Sequence, residues 1–453
     1  MAAPLLRTLA ERAVATYRDG VPDGVAHAAT RTLVDWYAAA CAGGVAEPAR
    51  ILAGVAAGTG PCALVPDGRP ARARDAALVN GTAAHTVEID DIFRDGLYHP
   101  GAPTIAAALA AAEDTGTSGR ELLAAIAVAY EVGCRLALPL VPGHYRFWHP
   151  TATIGAIGAA AAAGLLYGLD APRLTHALAT ATTLAAGLQQ AFRSEAMSKP
   201  LHAGRAAETG VLAALAARSG FTGAADAFDG AAGFAAAMSG DGTMPGLDHA
   251  ADDWGQPFLV TTMTVKNHAC CGHTFAAVDA ALELREAGPT PDQVRGVEID
   301  TYGVAVRTAG NADPSTAFEA KFSLAYCVAA GLTLGTARDA AFTPAALADP
   351  AIRGLVAATT IGVDDRFDSW APARRAARVT VVDTAGDRHV AERHTRRGDP
   401  DAPLTDAELG AKFREFTASV IGPSCDDVLA RLWDTTCAPH VTPSTWLPAT
   451  PAR

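Results

Sequence analysis

The sequence predicts a mainly α-helical protein whose helical body is interrupted by a smaller α+β module. Before Thr261 apolar residues recur at helical spacing and no strand-rich region is found. Between 294 and 396 the segments VRGVEIDTYGVAV, IGVDDRF, ARVTVVDTAG and RHVAERHT read as strands, the last two a hairpin across AGD. The tail, LTDAELGAKFREFTASVIG and CDDVLARLWD, is helical again. These breaks divide the chain into residues 1–264, a module at 265–397 and a helical return at 398–453.

Composition bounds the answer before any motif does. Half of the 453 residues are hydrophobic and 19% are charged, which excludes a disordered chain. Alanine dominance with 43 glycines implies closely packed small-residue helices. A net charge of −12 without a Lys/Arg cluster argues against nucleic acid as a partner. The first twenty residues form an amphipathic helix start with Arg and Glu inside it, and they lack the apolar core of a signal peptide. Thr151 to Leu169, the longest uncharged run, reads as a tight helix of a soluble protein rather than a membrane span. The eight cysteines are scattered through apolar contexts without a CxxC, so reduced core thiols are expected, not an iron–sulfur or structural zinc site. A cytoplasmic location with no membrane partner follows as the expectation.

In chain order, helices run from Leu5 to about Ala57, and CALVPDGRP is a short apolar run and a turn. ARARDAALVNG then starts a helix that delivers the first polar cluster. TIAAALAAAEDTG and GRELLAAIAVAYEVGCRLAL are two helices, and PLVPGHYRFWHP leads into TATIGAIGAAAAAGLLYGL, whose Gly and Ala spacing permits close helix approach. GFTGAADAFDGAAGFAAAMSGDG reads as a pair of short helices, and TTMTVKNHACCGHTF as an extended stretch before the helix AAVDAALELREAG.

The polar residues collect in five places. VNGTAAHTVEIDDIFRDGLYHPGAP sets His85, Glu88, Asp90, Asp91, Arg94, Asp95, Tyr98 and His99 beside a turn that opens an Ala-rich helix. Acids and imidazoles at that density are costly near apolar helices unless they are paired, ligate something or do chemistry. The plain alternative is an exposed acidic loop capping the next helix. SKPLHAGRAA crowds Lys199, His202 and Arg205 at a helix start, where cations and the helix dipole attract carboxylates; a basic turn balancing nearby acids is the plain alternative. FWHPTATIG, KNHACCGHTF and AKFSLAYC complete the set. Fingerprints of dinucleotide binding, P-loops, hydrolase elbows and HExxH zinc sites are missing.

These clusters, in this order, resemble the MmgE/PrpD family, which includes 2-methylcitrate dehydratase, cis-aconitate decarboxylase and iminodisuccinate epimerase. NGTAAHTVEIDD, HPGAP, WHPT, KPLHAGRAA, GFTGAADAFDGAAGF, CCGHTFAAVDAALEL and AKFSLAYCVA carry the resemblance over essentially the whole chain. It implies a large all-helical domain built from both chain ends, a smaller α+β lid, a homodimer, and a site in the cleft between domains that uses no metal or organic cofactor. His99, His149, Lys199 and Tyr326 fit the family's active-site positions. Glu88 stands where the family has an acidic residue three after the histidine matched by His85, and Asp91 closes the acid pair. Two departures remove polarity: Ile92 and Phe93 follow the acid pair, and CCGHTF places His273 two positions before Phe275, which fills the family's histidine position.

The chemistry implied is a carbanion made or quenched beside a carboxylate. Such a step needs a base, cations for the developing enolate, and an acid. The expected roles are His149 or His99 as base or acid, Lys199 as carboxylate and enolate clamp with His202 and Arg205 beside it, and Glu88 or Asp91 as imidazole orienter or proton acceptor. Tyr326 is expected as proton donor or anchor, and His273, Phe93 and Phe275 as pocket lining. A cofactor-independent lyase of a small carboxylic acid, a dehydratase or decarboxylase, is the leading expectation. An epimerase or isomerase using the same deprotonation is the enzyme alternative, and a catalytically silent homologue that binds a carboxylate or serves as a dimeric scaffold the other. A metal held by His85, Glu88, Asp91 and His99 ranks below these. Cys270 and Cys271 read as packing rather than nucleophiles, and His27, His176, His249, His389, His394 and His440 as surface or loop residues.

Overall fold

The structure is a computed structural model describing residues 3–56, 58–141, 143–192, 196–239, 244, 246–371, 373–442 and 445–447. It is mainly helical (60%) with one small mixed four-stranded sheet. The chain forms two compact units, Met1–Thr264 with Thr405–Arg453, and Val265–Leu404.

The first unit is built from α1 (Leu5–Asp19), α2 (Asp23–Gly44), α3 (Glu47–Val55), α4 (Ala73–Ala84), α5 (Gly101–Thr115), α6 (Gly119–Ala137), α7 (Pro150–Leu166), α8 (Ala171–Leu184) and α9 (Ser198–Arg218). CALVPDGRP forms a two-residue antiparallel ladder of β1 (Cys62–Ala63) with β2 (Pro70–Ala71). Side-chain caps set several boundaries: a Ser118–Glu121 capping box opens α6, Asp170 caps α8, and a Thr405–Glu408 box opens the returning helix Asp406–Ile421. All seventeen residues of α7 are buried. Small residues make this density achievable. A Cβ on Gly204 of α9 would run into the Leu78 carbonyl and the Thr82 hydroxyl of α4, and one on Gly155 would sit 2.7 Å from Pro103 Cγ of α5. The segment Gly119–Leu140 is long and apolar enough to cross a membrane, yet 94% of its apolar window is buried inside the protein, as a core helix is.

The second unit carries a sheet ordered β4-β3-β5-β6, from β3 (Val294–Thr301), β4 (Thr359–Val363), β5 (Ala377–Asp383) and β6 (Arg388–Arg393). β3 pairs parallel with β4 and antiparallel with β5, and β5–β6 is a hairpin. Val297 and Ile299 of β3 and Val379 and Val381 of β5 are buried, and the helix Phe275–Ala287 packs on β5 and β6. Residues 398–404, assigned from the sequence to the C-terminal return, pack within this unit. Gly398 (φ +99) accepts from the Val265 amide at 2.9 Å, and a Cβ there would strike the Val265 carbonyl.

Three local expectations are corrected. The strand over VRGVEIDTYGVAV stops at Thr301, because Asp368 accepts from the Gly303 amide (2.8 Å) and the helix Gly303–Ala309 begins. The strand over IGVDDRF stops at Val363, where Asp364 caps the helix Asp365–Trp370. Of the two short helices expected in GFTGAADAFDGAAGFAAAMSGDG, only Phe234–Met238 forms among the described residues, with turns at 225–232; its last residues, 240–242, lie outside them. Glycine recurs there too often for a helical nucleus to lengthen.

Candidate active site

The 85–99 loop is held open by backbone pairing and by one buried cation. His85 ends α4, and Glu88 adopts a left-handed φ of 66°. Lys412, from the helix Asp406–Ile421, donates to the Ile89 carbonyl (2.7 Å) and to Asp35 (2.5 Å) of α2. Ile92 pairs with Thr264 through two 2.9 Å backbone bonds, and Phe93 pairs with Tyr98. A left-handed non-glycine residue costs conformational energy and persists only where its surroundings enforce it.

This frame gathers four imidazoles. His85 Nδ1 lies 2.6 Å from Asp90 Oδ2, and His99 Nδ1 lies 3.2 Å from the same oxygen. The His85 ring stacks on His149 (5.5 Å between centroids) and meets His99 edge-on (5.0 Å). His149 Nδ1 lies 3.1 Å from His202 Nδ1, so one donates and the other accepts. His149 precedes Pro150 at the start of α7, and its amide donates to the Gly187 carbonyl (2.9 Å). A Cβ on Gly187 (φ +152) would strike Ala152 and crowd the His202 ring. His99 is fixed through its amide, which donates to Thr151 Oγ1 at 3.1 Å.

Lys199 and His202 share a face of α9, three residues apart. The Lys199 ammonium forms an ion pair with Glu88 and lies 5.2 Å from the Phe192 ring, whose edge meets His149 at 4.7 Å. Lys199 is only 8% exposed.

Burial sets the protonation of these groups. It lowers His85 to about 4 although Asp90 opposes the shift, lowers His202 to about 4, and drives His149 well below the ordinary imidazole range. Burial pushes the Asp90 carboxyl up, but the neighbouring His85 and His99 rings outweigh it and hold Asp90 ionised. Neutral His85 therefore donates Nδ1–H to Asp90, and its buried Nε2 has no hydrogen-bond partner among the described residues. His85, Asp90 and His99 also present ligand atoms within 4.8 Å of one another, a set that could hold a metal ion.

The other expected residues make different contacts. Asp91 turns away from the imidazoles: it accepts from the Gly101 amide (2.9 Å) and the Tyr130 hydroxyl (2.8 Å) and is raised to about 7, mainly by burial. The carboxylate that meets the His85 ring is therefore Asp90, not Asp91, and Glu88 forms an ion pair with Lys199. Phe93 is buried against Gly96. Arg205, on a different face of α9 from Lys199, is mostly exposed and pairs with Glu208, which also binds Arg74. Tyr326, His273 and Phe275 belong to the second unit. There Tyr326 donates to the Ala341 carbonyl (2.6 Å), His273 Nδ1 lies 2.6 Å from Tyr302 Oη, and Phe275 packs edge-on against His268. Sequence reasoning named Asp90 but gave it no role, and it missed Phe192 and Lys412. In an adjacent acid pair nothing in the sequence says which carboxylate faces the histidines.

Comparison with known proteins gives this site its context. The family model described as the MmgE/PrpD N-terminal domain matches residues 7–245, and the MmgE/PrpD C-terminal domain matches residues 268–435. The cis-aconitate decarboxylase-like protein oryM of Aspergillus oryzae is 28% identical over 80% of this chain and 79% of its own length. Cis-aconitate decarboxylase of Mus musculus is 26% identical over 79% of this chain and 74% of its own. The Homo sapiens cis-aconitate decarboxylase is 36% identical over 36% of this chain and 34% of its own. With both domain models matched along most of its length, the chain belongs to the MmgE/PrpD family.

Proposed function

We propose that this protein is a cofactor-independent lyase, a decarboxylase or dehydratase of a small carboxylic acid, working through a carbanion or enolate. The observation that carries the reading is the Asp90-bridged imidazole pair lying beside a second imidazole pair and a nearly buried ammonium. Relatives named as cis-aconitate decarboxylases support the substrate class.

In this mechanism Glu88 occupies, on Lys199, the place a substrate carboxylate takes. Once bound, that carboxylate is held by a cation in a water-poor setting, where electrostatic stabilisation exceeds its value in water. In a decarboxylation the C–C bond to the leaving carboxylate breaks and CO2 departs. The electron pair delocalises toward the retained carboxylate against Lys199, and an imidazole delivers a proton to carbon. His99, with Asp90 3.2 Å behind its Nδ1, suits that acid, because the carboxylate orients the ring that delivers the proton. His149, kept neutral by burial, suits a base in the dehydration counterpart.

The test is incubation of the protein, before and after exhaustive chelation, with a panel of citrate-like, aspartate-like and less charged acids in D2O, followed by NMR. Loss of CO2 or water from one acid, unchanged by chelation, is expected. Solvent deuterium incorporated without loss of a group would instead establish the epimerase reading, which the two separately held imidazole pairs also suit. No change in any acid would reject both. The reading also expects a homodimer, measurable by light scattering.

A further inference from the structure

The second unit buries a cation with which no described residue forms an ion pair or hydrogen bond. That cation is Arg375, which is 9% exposed. Its neighbours in sequence differ: Arg378 pairs with Asp300 (2.8 Å) and Asp364 (3.3 Å), and Arg374 lies over the Trp370 ring. The other buried guanidinium nearby is fully engaged. Arg396 makes a two-bond fork with Asp399 (2.8 and 2.6 Å) and a third bond to the Gly272 carbonyl (2.9 Å). Asp399 forms its fork with Arg396 and acts on Arg375 only through space, so two buried guanidiniums share one carboxylate. A buried charge without a partner costs several kcal/mol in typical proteins, so a fold keeps one only where something compensates it.

Thr301 pairs with Ala377 and its hydroxyl donates to the Ala376 carbonyl (2.9 Å), so the backbone of Arg375 enters the sheet next to Tyr302, and there Tyr302 forms a preset pair of donors with His273. His273 Nδ1 lies 2.6 Å from Tyr302 Oη, their rings 5.6 Å apart. Burial, Arg375 and Arg396 hold His273 neutral, and Arg375 is the largest electrostatic influence on the Tyr302 hydroxyl. The neutral pair has two polar protons. One closes the bond between imidazole and phenol; the other remains free to donate outward, whichever tautomer forms. Tyr302 is fixed from behind by Phe367, Ala305 and Ala376.

The structure assigns to Arg375, Tyr302 and His273 a carboxylate-binding site within the α+β unit. A planar guanidinium flanked by one further neutral donor matches a planar, singly charged two-oxygen group better than a doubly charged phosphate. The choice of carboxylate rests on the proposed function; the anion site itself does not.

The test uses the full-length protein, with calorimetric titration of cis-aconitate as the probe. Arg375→Met keeps the stem and removes the charge. Binding should weaken on the order of 10- to 100-fold, while the ligand-free variant melts at the same temperature as wild type or higher. Tyr302→Phe keeps the ring in its apolar setting and should weaken binding several-fold. Equal binding by wild type and Arg375→Met, or a ligand-free Arg375→Met that melts lower, would overturn the assignment. Turnover assayed in parallel separates the two claims. Arg375-dependent binding without turnover of any acid leaves this site standing and removes the lyase reading. Normal turnover with unchanged Arg375→Met binding does the reverse.

Discussion

Lys412 joins the C-terminal segment to the loop that carries Asp90. Its ammonium and the Asp35 carboxylate are both 1% exposed and 2.5 Å apart, and the same ammonium holds the Ile89 carbonyl at 2.7 Å, one residue before Asp90. Lys412→Met leaves Asp35 buried without its cation. Removing one member of such a pair costs about 3–5 kcal/mol, and burial already pushes Asp35 upward against the opposing lysine, so the stranded carboxyl will take up a proton. Replacing both, as Asp35→Leu with Lys412→Met, removes the stranded charge and leaves mainly the Ile89 carbonyl unanswered, a loss of about 1–3 kcal/mol. The single variant should therefore be less stable than the double, and should melt roughly 6–20 °C below wild type at about 2–4 °C per kcal/mol. Urea and thermal unfolding of all four proteins in the cycle give the comparison, read from the transition that exposes α2. Single and double variants within about 1 kcal/mol of each other would refute the view that this ion pair props the loop. Both variants should also lose turnover, since neither retains the donor at Ile89.

Lys199→Ala should cut turnover by orders of magnitude with folding intact; near-native turnover rejects its role as clamp. Asp91→Asn can keep both hydrogen bonds, its oxygen accepting from Gly101 and its amide donating to Tyr130. Because Asp91 is raised to about 7 in the fold from an ordinary carboxyl value near 4, the folded state binds the extra proton between those limits. Its contribution is full below about pH 4 and lost as pH rises through 7. The variant should then match wild type near pH 4 and exceed it above pH 7 by a few kcal/mol; parallel stability curves would contradict this. Gly204→Ala should destabilise by about 1–3 kcal/mol, because the Leu78 carbonyl and Thr82 hydroxyl already fill the space a methyl needs; an unchanged urea midpoint would show that α4 and α9 can part without cost.

The mainly helical class was legible because alanine-rich helical periodicity runs through both chain ends, and the runs that hold the strands at 294–301, 359–363, 377–383 and 388–393 stand out from it, the first by its alternation. Strand ends were not legible where a distant acid ends the strand, as Asp368 does at Gly303. The clustering of His99, His149, Lys199 and Glu88 follows from motifs that each sit at the end of a helix or in the loop beside it. Division of labour between Asp90 and Asp91 could not be read, since successive residues in an extended segment face opposite sides. Arg205 misled because a residue six places after Lys199 on a helix has turned away from it.

The central claim is that Lys199 and the Asp90-held imidazoles act on one small carboxylic acid. Its most direct test is a crystal structure with the acid the protein turns over, or with an unreactive analogue of it. A carboxylate displacing Glu88 from Lys199, with the reacting carbon within about 3.5 Å of His99 or His149, is the expected result. An acid bound away from all three residues would contradict it.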